Sequence, residues 1–215
     1  MKGIKSRLII MNFLQFAVWG SYLTCVGQFL GKVGLGDYIA WFYIAQGVVS
    51  IFMPAIMGII ADKYVQPQRL LGISHLLAGG FMLVAAYFGI QATELAEANA
   101  GNADYVANIW PIFVPYIFSV AFYMPTLALS NSVAYNALDK AGLDTVKAFP
   151  PIRVFGTIGF ICSMWAVDLL GYQPTAAQYA VSGGLGLLLA VYSFTLPECP
   201  ISKNQGNKTI LEALG

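Results

Sequence analysis

The sequence has few charged residues and almost none of the groups that build metal or catalytic centres. Lysine, arginine, aspartate and glutamate make up 10% of the 215 residues, whereas about 25% is usual in a soluble domain. The net charge is +1 and no basic patch occurs, which excludes a nucleic-acid partner. One histidine and an odd three cysteines provide neither a metal-binding set nor a disulfide framework. The sequence contains no nucleophile elbow and no glycine-rich phosphate loop, so we expect no enzyme activity, metal or cofactor.

Long apolar stretches fill the sequence instead. A helix that rises 1.5 Å per residue needs about 20 apolar residues to cross about 30 Å of hydrocarbon. Stretches of about this length, with most charges between them, cover residues 8–30, 38–61, 70–91, 109–135, 152–171 and 178–196. The sequence therefore predicts an all-α membrane protein whose six transmembrane helices cross the lipid bilayer.

Basic residues in the connections predict the orientation, because short cytoplasmic loops are enriched in lysine and arginine. The opposite side has only Lys32, and its longest loop is acidic, with Glu94, Glu97 and Asp104. Both termini are therefore predicted to be cytoplasmic. The basic residues assigned to that side are Lys2, Lys5, Arg7, Lys63, Arg69, Lys140, Lys147, Lys203 and Lys208.

The loop after the second stretch carries a short cytoplasmic signature. Gly58, Asp62, Lys63 and Arg69 resemble the loop motif of the major facilitator superfamily. In that motif a glycine allows two helices to approach, and an acid and bases cap helix ends and pair across the loop. The two residues before Arg69 depart from the motif. An ordinary positive-inside loop would also explain these charges.

A denser resemblance is distributed along nearly the whole chain. The matching blocks are Phe13-Leu14-Gln15-Phe16, Trp19-Gly20-Ser21, Phe52-Met53-Pro54-Ala55, Tyr123-Met124-Pro125-Thr126-Leu127, Phe149-Pro150-Pro151-Ile152-Arg153, Gly156-Thr157-Ile158-Gly159-Phe160 and Thr195-Leu196-Pro197. In this order they resemble the nucleoside:proton symporter family of that superfamily.

Members of that family have twelve transmembrane helices. The resemblance therefore implies that residues 1–197 form an N-terminal six-helix bundle of two inverted three-helix repeats. Residues 198–215 would begin a cytoplasmic linker to a second half that is absent from this sequence. The implied function is proton-coupled nucleoside uptake by alternating access, in a bacterial inner (plasma) membrane. Acidic residues occur only in loops and at the ends of the stretches, so the coupling carboxylate is expected in the second half.

The fifth stretch carries the main candidate for substrate binding. Arg153, Thr157 and Phe160 recur at i, i+4 and i+7, which places a planar charged fork, a hydroxyl and an aromatic ring on one helical stripe. The resemblance implies that these three residues face the central substrate cavity. Alternatively, Arg153 begins its stretch and extends to the cytoplasmic headgroups.

The first stretch carries a second polar stripe, formed by Asn12, Gln15, Trp19 and Tyr22. Such a stripe can line an aqueous cavity, or it can join helices through hydrogen bonds. The family blocks include Gln15 and Trp19, which are therefore the expected substrate-binding residues here. His75, alone within a stretch, is expected to be a hydrogen-bonded core residue rather than a metal ligand.

A second class of function remains open from the residues alone. Six apolar stretches would also suit a self-contained channel or an assembly module that acts as a homo-oligomer. Such a protein would need no second half.

Overall fold

The computed structural model describes residues 3–200. Within this part of the chain the backbone forms eight α-helices and one short 3-10 turn. The basic residues Lys2, Lys203 and Lys208, and the predicted linker from residue 201 onward, lie outside the described residues. The helices are α1 (Ile4–Gly20), α2 (Val26–Lys32), α3 (Ile39–Lys63), α4 (Pro67–Ala98), α5 (Trp110–Tyr123), α6 (Thr126–Lys140), α7 (Thr145–Leu169) and α8 (Ala177–Ser193); the turn is Gly36–Tyr38.

Four helical segments of the described chain are long and apolar enough to span a membrane: Gly36–Lys63, Pro67–Ala98, Trp110–Lys140 and Thr145–Leu169. They correspond to the second to fifth predicted stretches, which are thereby confirmed as helices with the length and apolar composition of membrane spans. The first stretch is helical but divided between α1 and α2, and the sixth is the 17-residue α8. Both fall short of this length as continuous helices.

Two helix breaks separate elements that the apolar pattern joins. Between α1 and α2 the backbone turns over residues 21–25, yet Leu23 N–H still donates to Trp19 and Val26 N–H to Tyr22. Between α5 and α6 lies Pro125, which has no N–H to donate. Each pair of helices therefore continues as one interrupted rod.

Glycines set the closest helix contacts. A Cβ atom added at Gly159 of α7 would collide with the carbonyl oxygen of Phe13 in α1, and one at Gly20 with the carbonyl oxygen of Phe160. Between α4 and α8, a Cβ atom added at Gly79 would lie 2.8 Å from the carbonyl oxygen of Gly183. Small residues allow such backbone approach in membrane helices. Helix α1 thus packs tightly on α7, and α4 on α8.

The outermost helices of the bundle are α3 and α7. In the apolar 18-residue stretch of each long segment, only 17% of the residues of Gly36–Lys63 and 28% of those of Thr145–Leu169 are buried. The corresponding shares in Pro67–Ala98 and Trp110–Lys140 are 56% and 61%. Apolar side chains such as Ile44, Ile51 and Val154 point outward. These surfaces are suited to lipid or to another apolar helix, but not to water.

Candidate functional site

The close contact of α1 and α7 brings together side chains that are distant in sequence. The guanidinium carbon of Arg153 lies 3.9 Å from the centroid of the Phe16 ring. The rings of Trp19 and Phe160 meet edge to face, with centroids 6.0 Å apart and planes at 85°. Of the five predicted substrate-binding residues, the structure thus places Arg153, Trp19 and Phe160 along one helix–helix seam.

Arg153 is half-buried and has no carboxylate partner among residues 3–200. The ion pairs in this part of the chain are Arg69 with Glu198 and Lys147 with Asp144. No hydrogen bond to the guanidinium is formed within the described residues either, so the ring face of Phe16 is its main contact. The N–H groups at the edge of this guanidinium remain available to a ligand.

The position of Arg153 differs from the sequence-based expectation. Helix α7 begins at Thr145, because the Asp144 side chain accepts hydrogen bonds from the N–H groups of Val146 and Lys147. Arg153 therefore lies about 12 Å along the helix rather than at its start, at 1.5 Å per residue. Its guanidinium packs sideways onto Phe16 of α1.

Thr157 and Trp19 differ in exposure. Thr157 is exposed one turn beyond Arg153 on α7. The Trp19 ring lies 6.4 Å from that of Tyr123 as well as beside Phe160, and its indole N–H is buried with no acceptor among the described residues. A buried donor without a partner is unfavourable. An acceptor atom on a ligand or a water molecule would remove that cost.

Gln15 lies elsewhere. It is fully buried, its side-chain oxygen is 2.9 Å from Nε2 of His75, and its amide nitrogen donates to Thr126 Oγ1 at 2.7 Å. The side chain therefore joins α1 to α4 and α6 instead of lining the seam with Arg153. The expectation that His75 is a hydrogen-bonded core residue is confirmed.

Sequence reasoning overlooked the role of Phe16 in this arrangement. It lies within a matching family block and three residues before Trp19, so helical spacing places both on neighbouring parts of one face. That spacing was a usable signal. Its contact with Arg153, however, depends on how α7 crosses α1, which no local pattern specifies.

The loop signature is arranged differently from its expected form. An added Cβ at Gly58 would have no atom within 4 Å, so no close helix approach occurs there within the described residues. Asp62 and Lys63 are exposed in the last turn of α3. Arg69 reaches Glu198 at 3.5 Å, beyond the end of α8, rather than an acid within its own loop.

The segment after α8 contacts the same loop region. The backbone N–H of Cys199 donates to the side-chain oxygen of Gln68 at 3.0 Å, and Lys140 Nζ donates to the carbonyl of Glu198 at 3.4 Å. Cys199 is buried, and desolvation raises the pKa of its thiol to about 11. The start of the predicted linker is therefore fixed against α4 and α6.

A model of the nucleoside H+ symporter family matches residues 1–215. The chain belongs to this family. It is 38% identical over 215 residues to the xanthosine permease of Escherichia coli (strain K12), and 36% identical over 216 residues to the nucleoside permease NupG of the same strain. Each alignment covers 99% of this chain and 47% of the relative.

The fold agrees with this assignment. A crystal structure of the nucleoside transporter NupG superposes with a TM-score of 0.81 and 32% identity, over 98% of this chain and 48% of that one. The chain thus spans about half the length of the relatives it matches. These relatives are named as permeases, not as enzymes.

Proposed function

We propose that residues 1–197 form the N-terminal six-helix bundle of a proton-coupled nucleoside transporter of the major facilitator type. The broken rod of α1 and α2 and the short α8 would be its first and sixth transmembrane helices, and the bundle would consist of two inverted three-helix repeats. Residues 198–215 would begin the linker to a second bundle. The half-length match to nucleoside permeases supports this division.

The observation that supports a nucleoside as the substrate is the environment of the Arg153 guanidinium. Its guanidinium is held on the face of Phe16, has no acid partner among residues 3–200, and lies on the same helix as Phe160. A nucleoside offers ribose hydroxyls and base oxygens to such a fork, and a flat ring to aromatic side chains. Arg153 and Thr157 would bind polar groups of the nucleoside, while Phe160 and Trp19 would contact its base.

Gln15 would stabilise this site without contacting the nucleoside. Its hydrogen bonds to α4 and α6 fix the position of α1, from which Trp19 projects. The loop residues Gly58, Asp62, Lys63 and Arg69 would act at the cytoplasmic end, where Gly58 has open space for a neighbouring helix. Both termini would be cytoplasmic, in a bacterial inner membrane.

The outward surfaces of α3 and α7 support a second bundle as the missing partner. Both are apolar and poorly buried, and α7 carries the Arg153 stripe. Two such bundles rocking about a central site would give alternating access. The proton-binding carboxylate would belong to the second bundle, because the acids of residues 3–200 lie in loops or near helix ends.

Reconstitution of the complete gene product that contains these residues tests the proposal. Proteoliposomes with an imposed inward proton gradient should accumulate radiolabelled nucleoside above its external concentration, and an uncoupler should abolish this accumulation. Liposomes carrying the Arg153→Ala variant at equal protein density are the control. Gradient-independent flux of small ions without nucleoside accumulation would contradict the proposal and restore the channel alternative.

A further inference from the structure

A chain of three buried hydrogen bonds runs from α4 to the junction of α5 and α6. His75 Nε2 lies 2.9 Å from Gln15 Oε1. Gln15 Nε2 donates to Thr126 Oγ1 at 2.7 Å, and Thr126 Oγ1 donates to the carbonyl oxygen of Tyr123 at 2.5 Å. His75, Gln15 and Thr126 are fully buried. The chain joins three separate helical rods at the centre of the bundle.

The direction of these hydrogen bonds follows from the last acceptor in the chain, the carbonyl oxygen of Tyr123. The carbonyl of Tyr123 can only accept, so the Thr126 hydroxyl is the donor there and accepts from the Gln15 amide. Gln15 must then present its oxygen to His75, which requires a hydrogen on Nε2. Reversing the amide would face the single hydrogen of the Thr126 hydroxyl with two acceptors, so that one of the two bonds of Thr126 is lost. It would also put the ring hydrogen on Nδ1, which has no partner within the described residues. The neutral Nε2–H form of His75 is therefore the one that keeps all three hydrogen bonds of the chain.

The same residues touch the aromatic side chains of the candidate site. The Tyr123 hydroxyl donates to the backbone oxygen of Gln15 at 2.6 Å, and the His75 ring lies edge to face with Tyr123 at 5.7 Å. Tyr123 in turn packs against Trp19, which meets Phe160. His75 itself has no recorded contact with Arg153 or Phe160. Its influence on them must pass through Gln15, Tyr123 and Trp19.

We propose that His75 is a positioning residue for the candidate nucleoside site formed by Arg153, Thr157, Phe160 and Trp19. By donating to Gln15 it fixes the Gln15 amide, which is bonded through Thr126 to the backbone of Tyr123. The Tyr123 ring in turn packs against Trp19, which lies beside Phe160. This inference rests on the proposed function for its effect on transport, but its effect on Trp19 is independent of any substrate. Removing the donor should loosen Trp19 and weaken nucleoside binding without removing a group that touches the nucleoside.

Three substitutions at His75 in the complete transporter test this. The glutamine amide nitrogen reaches the place of Nε2 and can donate to Gln15, whereas the shorter asparagine reaches only the place of Nδ1. His75→Asn and His75→Phe should raise the KM for nucleoside about five- to tenfold, as the loss of one buried hydrogen bond implies, while kcat per inserted molecule changes less than twofold. His75→Gln should stay within about twofold of the wild-type KM. Equal KM values for the asparagine and glutamine variants would overturn the proposal.

Trp19 provides a readout that needs no transport. In the complete transporter with Trp19 as its only tryptophan, His75→Asn should shift the emission maximum and increase quenching by acrylamide, and His75→Gln should restore both. Ser74→Ala is the matched control, since Ser74 is the buried neighbour on α4 whose hydroxyl has no partner among residues 3–200. Unchanged Trp19 emission in His75→Asn would overturn the positioning role. A protein that takes up no nucleoside but shows the Trp19 response would refute the proposed function alone.

The asparagine and glutamine pair keeps the test valid if His75→Phe fails to fold. Both variants retain a polar side chain at the buried site, so they differ chiefly in reach. Size-exclusion profiles in detergent would verify that both are folded before KM and emission are compared.

Discussion

Arg153 of α7 stacks on Phe16 of α1, with its guanidinium carbon 3.9 Å from the ring centroid. Such a cation–π contact is worth about 0.5 to 2 kcal/mol, more when it is shielded from water. It also sets the plane of the guanidinium and so the directions in which its N–H groups can donate. Phe16 would therefore act on substrate affinity through Arg153, without touching the substrate.

Replacing Phe16 tests this relationship. Phe16→Leu should raise the KM for nucleoside about two- to thirtyfold, the range that corresponds to a cation–π contact, because the guanidinium loses its platform. Phe16→Tyr keeps the ring and should stay close to wild type. In a background of Arg153→Ala, which removes the cation, Phe16→Leu should add little. Fully additive effects of the two substitutions on kcat/KM would show that Phe16 acts independently of Arg153.

Substitution of Arg153 by lysine tests the role of the planar guanidinium. Arg153→Lys keeps the positive charge but loses paired donation, so kcat/KM for nucleoside should fall about tenfold or more, as expected for a lost hydrogen bond to a charged group. Membrane insertion should remain nearly intact. Lys147→Arg is the control on the same helix, because its ion pair with Asp144 is exposed on both sides and contributes little. Wild-type kinetics for Arg153→Lys would support the headgroup-anchor alternative.

The contact between α1 and α7 leaves no space for a methyl group at Gly159. Gly159→Ala should lower the melting temperature of the purified protein and reduce uptake, since overpacking costs about 1 to 3 kcal/mol and the added Cβ meets the carbonyl of Phe13. Gly184→Ala is the matched control on α8, where an added Cβ has no atom within 4 Å. Thermal unfolding by intrinsic fluorescence compares the two. Equal melting temperatures would show that α1 and α7 are farther apart than described.

Topology is tested with cysteines in a background that lacks Cys25, Cys162 and Cys199. Ala103→Cys lies in the exposed acidic loop, which lacks lysine and arginine, so a membrane-impermeant maleimide should label it in intact cells. Val146→Cys, 80% exposed in the first turn of α7, should be labelled only after permeabilisation. The opposite result at both positions would invert the predicted orientation.

Residues 1–215 alone should enter the membrane but fail to concentrate nucleoside. One bundle provides one wall of a cavity, and coupling requires two states that bind the substrate differently. The measurement is uridine uptake into proteoliposomes that carry only this chain, under an inward proton gradient. Uncoupler-sensitive accumulation by these 215 residues would demonstrate a self-sufficient transporter and refute the two-bundle proposal.

The apolar pattern predicted the helices well but not their limits. The number of apolar residues indicates only the part of a helix that lies within the hydrocarbon layer. Helix α4 continues past its apolar stretch to Ala98, through Glu94 and Glu97, because glutamate and alanine are good helix formers. The start of α7 at Thr145 depends on the cap formed by Asp144. The interruption after Gly20 follows no proline and was not predicted.

The candidate site shows the same division between local and tertiary information. Spacing within α7 placed Arg153 and Phe160 on one stripe, and the structure keeps them near the α1 seam. Gln15 shared a helical stripe with Trp19, yet its amide turned to His75 and Thr126. Which neighbour a polar side chain selects depends on the helices that surround it, and this information is absent from the periodicity of one helix.

The glycine contacts between α1 and α7 have a mechanical consequence. Where backbone meets backbone, as at Gly159 and Gly20, no side chain remains that could change rotamer to let one helix slide past the other. Arg153, Phe16 and Trp19 should then travel as a single rigid body. Any movement that opens or closes this surface must displace the pair of helices together, so the hinge has to lie outside the α1–α7 seam.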